Sequence, residues 1–250
     1  PPEQPVPSMA GSQLASAGGD WLDDWMQAVT DLDGNALQAG LRTSWNRLGG
    51  LAFLEKRVGP FLARIGHAWW RDEIGIVHEH YTSEQLQDFL SARWRPLSER
   101  SAGPTAICAT LPGEDHVIGL HIAALVLAMA DWQLVFLGAR TPVCEIIDAS
   151  AMGRADAVVI SFSERFGLEH ARRSLTKLRD AIPGDIDLLA GGGGAPTDLP
   201  DTPSFSTLEP FYRVDDAWDV FGRVPGDYTT RFLGADAAVL ADYPFSPGFS

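Results

Sequence analysis

Positive charge is scarce in this chain. Its 250 residues hold 19 Lys and Arg against 33 Asp and Glu, a net charge of −14 and a pI near 4.7. A surface of that sign repels phosphate backbones and anionic lipid, so the composition argues against a chain that binds nucleic acid directly or lies on a membrane. Cysteine is scarcer still: Cys108 and Cys144 have no C-x-x-C spacing and cannot make a disulfide framework, which points to a reducing cytoplasm. Both sit in apolar or near-strand surroundings and read as core residues. No apolar run approaches the roughly 18 residues that a membrane helix needs, and no signal peptide pattern opens the sequence. A dinucleotide fingerprint is missing too, because the first strand-to-helix turn reads "LPGEDHVIG", with a histidine where a pyrophosphate needs bare backbone. The run "GGGGAP" lacks the Lys-Ser/Thr of a phosphate loop.

What is present is a folded chain, 45% apolar, in two rhythms. Residues 1–19 are rich in Pro, Gly and Ser and read as a disordered leader; Pro1 rather than methionine comes first, which leaves room for sequence upstream. Residues 20–100 then show helical periodicity in four segments, a bundle. Asp20 is the expected cap of the first helix, Pro60 is expected to kink or divide the third, and Thr82 with Gln85 reads as the capping box that starts the fourth. From residue 104 the rhythm changes. "TAICATL", "WQLVFLG", "DAVVISFS" and "DIDLLAGG" are apolar strands that alternate with helical segments, the pattern of a parallel sheet covered on both faces. The expected fold class is therefore α/β: a four-helix bundle cap, then a Rossmann-like, flavodoxin-like sheet domain over 104–222. A terminal helix at 215–222 and an aromatic, Arg-containing C-terminal extension over 223–250 complete the expectation. "HEHYTSE" suggests zinc but has no second cluster, and "DLDGN" lacks the closing acid of a calcium loop and reads as a helix connection.

In such sheets ligands bind beyond the carboxyl ends of the strands, which is where Glu114, His116, Ser161 and Gly191 fall. Their spacing is specific: Glu114-x-His116-x-x-Gly119, then 41 residues, Ser161-x-Ser163, then 27 residues, Gly191-Gly192. The set resembles the cobalamin-binding domain shared by corrinoid methyltransferases, cobalamin mutases and cobalamin photoreceptors. The resemblance implies that His116 is the lower axial ligand of cobalt, having displaced the cofactor's own base, and that the displaced tail lies in a slot lined by Gly119, Ser161, Ser163, Gly191 and Gly192. Glu114 stands where aspartate is commoner, and Ser163 replaces a leucine, making the slot more polar.

The helical half refines that resemblance. Trp69, nine residues and then Glu79-His80 is similar to the W-x9-E-H pattern of CarH-type light-sensing regulators, in which these residues contact the adenosyl group of adenosylcobalamin. An aromatic wall and a carboxylate that accepts from ribose hydroxyls suit a nucleoside better than a bare methyl group. The resemblance thus implies a photoreceptor or sensor rather than an enzyme, with light-driven cleavage of the cobalt–carbon bond and rearrangement of the cap or oligomer. Trp70 stands where the family places the histidine that binds cobalt after light; His67, His78 and His80 are the substitutes to hand. The DNA-binding module of CarH-type proteins has no counterpart in this sequence, so the implied partner is a second copy, as in a homodimer, or a downstream effector protein. The related photocobilins add biliverdin as a second chromophore, and the aromatic C-terminal extension would suit one. The rival readings are a corrinoid shuttle of a methyltransferase system and a light-independent cobalamin-binding antirepressor.

Overall fold

The computed structural model describes residues 21–196 and 204–205. Asp20, the 1–19 leader, the 215–222 helix and the 223–250 extension lie outside them. Helix α1 (Trp21–Thr30) buries Trp25, Met26, Ala28 and Val29 and keeps Asp23 and Asp24 in its first turn, where carboxylates favour the helix dipole. Asp33 caps α2 (Gly34–Leu48), its side chain accepting from the Ala36 N–H at 2.9 Å, so "DLDGN" is the helix connection it was expected to be. The third segment runs as α3 (Gly50–Phe53), a π-helical turn (Leu54–Val58) and α4 (Gly59–Trp70). The π turn lets the Gly59 N–H reach the Leu54 carbonyl, and Pro60 follows it in the first turn of α4.

Helix α5 (Ile76–Ser98) is the spine of the cap, 23 residues or about 35 Å long. It starts six residues before the expected Thr82 capping box, with Gly75 as N-cap and His78 Nδ1 accepting from the Gly75 N–H at 3.1 Å. Thr82 is inside the helix, its hydroxyl donating to the His78 carbonyl at 2.7 Å. That back-bonding is the alternative use of a helical threonine, and it overturns the reading of Thr82 as a cap. The cap core joins aromatics from every helix: Trp25 meets Trp21 and Phe61 edge-on, and Phe53 packs between Trp45 and Phe89.

The sheet contains β1 (Thr105–Ala109), β2 (Gln133–Gly138), β3 (Ala157–Ser161), β4 (Asp187–Gly191) and a two-residue β5 (Ser204–Phe205), all parallel in the order β2-β1-β3-β4-β5. The crossovers are α6 (Ile118–Met129), α7 (Val143–Met152) and α8 (Leu168–Ala181). This is the doubly wound order of a flavodoxin-like fold, as the alternation of apolar runs predicted. β5 is too short to have carried a sequence signal. Covered on both sides, β3 is buried at every position, whereas the edge strand β2 alternates between half-buried and exposed.

Cap and sheet share one helix. α6 is buried from Leu120 through Ala128 because one side lies on the sheet and the other on α5, with Ile122, Leu125 and Ala128 counted in the cap's core. At this joint the Trp94 indole donates to His121 Nδ1 at 3.1 Å and stacks on Phe136 of β2. Cys108 is buried as expected, but Cys144 is exposed, because α7 turns Ile146 and Ser150 inward and Cys144 lies off that face. Among the described residues no helix is long and apolar enough to cross a membrane.

His121 is 6% exposed, and burial first, then the Arg95 charge, push its pKa down to about 4. The unfolded chain therefore binds the proton first, and this histidine's stabilising share is full above about pH 6.5 and shrinks as pH falls towards 4. The loss amounts to on the order of 3 kcal/mol by that linkage. Urea unfolding of wild type and His121→Gln from pH 7 to 4 should show a shallower decline for the variant.

Candidate functional site

The order of the strands reverses between β1 and β3, and the loops leaving these two strands flank the crevice where doubly wound sheets take their ligands. Glu114 is 1% exposed in the β1–α6 loop. One carboxylate oxygen accepts from the His116 backbone N–H at 2.9 Å and from His116 Nδ1 at 2.7 Å. The other accepts from the Ser163 N–H at 2.7 Å and the Ser163 hydroxyl at 2.8 Å. Burial alone would raise the pKa of this carboxyl, but the four hydrogen bonds from His116 and Ser163 outweigh it and hold the group below its ordinary value. Glu114 is therefore an anion that only accepts. Nδ1 of His116 thus carries a proton, and in the neutral ring the lone pair is on Nε2 of a side chain 44% exposed. A neutral imidazole oriented by a carboxylate on its far nitrogen is the standard arrangement of a metal-ligating histidine, so the donor chemistry here fits cobalt.

Ser163 was expected to line a polar slot; its hydroxyl donates to Glu114. The order of residues carried no sign of this bond, since β1 and β3 had first to become neighbours. Two further links escaped it. Asp115, beside the histidine, pairs with Arg140 of the β2–α7 loop, and Thr110 donates to the Glu114 carbonyl at 2.7 Å while accepting from the Arg140 N–H. Three loops thus hold the His116 segment.

The small residues fall into one contact region. A Cβ on Gly119 would lie 2.8 Å from the Ser161 hydroxyl, so only glycine lets α6 start this close to β3. Ser161 pairs with Gly191 in the sheet register. Gly192 has φ +96°, and a Cβ there would run into the Phe162 carbonyl. Glu114, His116, Gly119, Ser161, Ser163, Gly191 and Gly192 are thereby brought together at one end of the sheet.

The cap residues form a second group. Trp69, next to last in α4, has its ring 4.5 Å from the Arg165 guanidinium of the β3–α8 loop, which ties the cap to the loop that carries Ser163. Glu79 and His80, in the first turns of α5, contact each other at 2.7 Å, and Ser83 donates to Glu79 at 3.3 Å. No direct contact joins Glu79 or His80 to Trp69 or His116 among the described interactions. Trp70 is 77% exposed and His67 is exposed, while His78 is committed to its N-cap bond. No group of three metal-binding side chains occurs among the described residues, and "HEHYTSE" forms none.

A doubly wound parallel sheet whose switch point presents a carboxylate-oriented histidine, under a helical cap, defines the class of protein. No protein-family model matches the chain. It is 26% identical over 177 residues to the HTH-type transcriptional repressor CarH of Myxococcus xanthus, covering 70% of this chain and 58% of that protein. It is 32% identical over 123 residues to the HTH-type transcriptional repressor CarA of the same organism, covering 49% of this chain and 42% of that one. The chain thus spans about half the length of the curated relatives it matches. Among solved structures, the Methanosarcina barkeri monomethylamine corrinoid protein has the same fold, at a TM-score of 0.58 and 14% identity over 74% of this chain and 91% of that one. The relationship to CarH and CarA and the fold class agree with the sequence reading, and both relatives are repressors rather than enzymes by name. One expectation is corrected. A chain without a nucleic-acid partner is not what these relatives indicate, since both are named as transcriptional repressors of the helix-turn-helix type. Net charge could not decide the matter, because it describes this chain alone, which covers 58% and 42% of those relatives, and it carries no information on where charges stand.

Two substitutions check the geometry. Gly192→Ala forces a side chain into a positive-φ position against the Phe162 carbonyl and should destabilise the fold by roughly 2–3 kcal/mol in chemical denaturation. Ser163→Ala removes one bond to a buried carboxylate and should cost about 1.5–3 kcal/mol in the same measurement.

Proposed function

We propose that this chain is the cobalamin-binding, light-responsive part of a CarH-like regulator. The observation that carries the reading is the Glu114–His116 pair at the switch point, with Nδ1 occupied and Nε2 free. His116 would hold cobalt from below, Glu114 would fix its tautomer, and Ser163 would fix Glu114. The glycines at 119, 191 and 192, with Ser161, would border the cofactor's displaced tail. Above, Trp69, Glu79 and His80 would receive an adenosyl group, by similarity to the W-x9-E-H pattern. Adenosylcobalamin supplies a cobalt–carbon bond that light can cleave. The protein's part is to orient the lower ligand and to enclose the adenosyl group under the cap, whose packing on α6 through Trp94 and His121 gives a route for rearrangement. The proposed organisation is a leader to residue 19, the cap at 20–100, the cobalamin domain at 104–222 and an extension at 223–250. With Trp70 in place of the family's second histidine, the product of illumination should differ from a bis-histidine adduct. Biliverdin as a second chromophore rests on the photocobilin resemblance alone.

The corrinoid shuttle is the second reading, favoured by the fold shared with the monomethylamine corrinoid protein. One experiment separates the two. Wild type and His116→Ala are loaded in the dark with adenosyl- or methylcobalamin, passed through gel filtration and illuminated, with absorption recorded throughout. Retention of adenosylcobalamin, a light-induced spectral change faster than that of free cofactor, and weaker retention by His116→Ala are expected. Retention of methylcobalamin alone would favour the shuttle, and a red absorption band after expression with biliverdin would reveal the second chromophore.

A further inference from the structure

Arg165 is an exposed cation in an acidic chain, yet among the described residues it forms no ion pair. Its guanidinium sits 4.5 Å from the centroid of the Trp69 ring instead. Its own position is fixed by a turn in which the Phe166 N–H donates to the Ser163 carbonyl at 3.0 Å, and Phe166 is anchored against Phe162. Ser163 in turn holds Glu114, and Glu114 holds His116. An unbroken series of contacts therefore runs from the lower-ligand histidine through the β3–α8 loop to an indole of the cap. Trp69 itself lies one residue from the end of α4 and remains 37% exposed, so packing by its own helix does not fix it.

We infer that Arg165 is the positioning residue of Trp69: it holds the indole against the β3–α8 loop and so sets the distance between the aromatic wall of the cap and His116. The inference rests on the cobalamin reading for what the wall would meet, an adenosyl group on the upper face. It adds that the upper wall is placed by the sheet domain and not by the cap alone. An Arg on an indole face at an exposed site is worth about a two- to fivefold shift in an equilibrium, and lysine makes a weaker version of the contact.

The test measures dark dissociation of adenosylcobalamin and of hydroxocobalamin from wild type, Arg165→Ala and Arg165→Lys. In parallel, hydrogen exchange over residues 66–72 is followed in the cofactor-free proteins. Arg165→Ala should release adenosylcobalamin about two- to fivefold faster, leave hydroxocobalamin unchanged and exchange faster at the end of α4, with Arg165→Lys in between. Unchanged release of adenosylcobalamin, or equal acceleration for both corrinoids, would overturn the inference. So would unchanged exchange over 66–72. If wild type retains neither corrinoid, the cobalamin reading fails by itself, and the cofactor-free exchange still decides whether Arg165 places Trp69.

Discussion

A buried carboxylate with every lone-pair direction in use organises the functional end of this protein. Glu114 is out of water, a condition that by itself favours the neutral acid, and it remains an anion because two backbone N–H groups, a hydroxyl and an imidazole all donate to it. Each donor comes from a segment that must be in place for the charge to be tolerated. The β1–α6 loop supplies His116, and the β3–α8 loop supplies Ser163. Removing any donor leaves part of a buried charge unsatisfied, so the two loops are bound to one geometry. The tautomer of a neutral His116 follows from that geometry.

The cap depends on the same sheet by a different means. α6 has no polar face to give to solvent, because α5 covers the side that the strands leave open. Trp94, His121 and Phe136 sit at this junction, one from the cap, one from the shared helix and one from the sheet. The Trp69–Arg165 contact is a second and much lighter tie, at the open end where a ligand would lie. A heavy joint at the spine and a light one at the rim is an arrangement in which the cap can shift locally without leaving the sheet.

Much of this was legible in order of residues. The parallel sheet followed from apolar runs alternating with helical segments, and the site followed from three anchors at fixed intervals. Local chemistry was read less well. Thr82 looked like a helix start because a capping box is a matter of residue identity, but a threonine inside a helix can bond backward to the carbonyl four residues earlier. Cys144 looked like core because its neighbours are apolar, but only the facing of α7 decides which side of a helix is buried. The expected lack of a nucleic-acid partner failed for a similar reason: a sum of charges carries no information about where they stand.

By itself the sequence determined the two-part architecture, the histidine with its acid two residues before it, and the glycines where the backbone allows nothing larger, because these depend on period, spacing and steric size. Only the tertiary structure decided that Ser163 serves Glu114, that Arg140 meets Asp115 and that Arg165 meets Trp69. Those partners lie between 25 and 96 positions apart in the sequence, and nothing in either residue specifies the other until parallel strands and a folded cap bring their loops side by side.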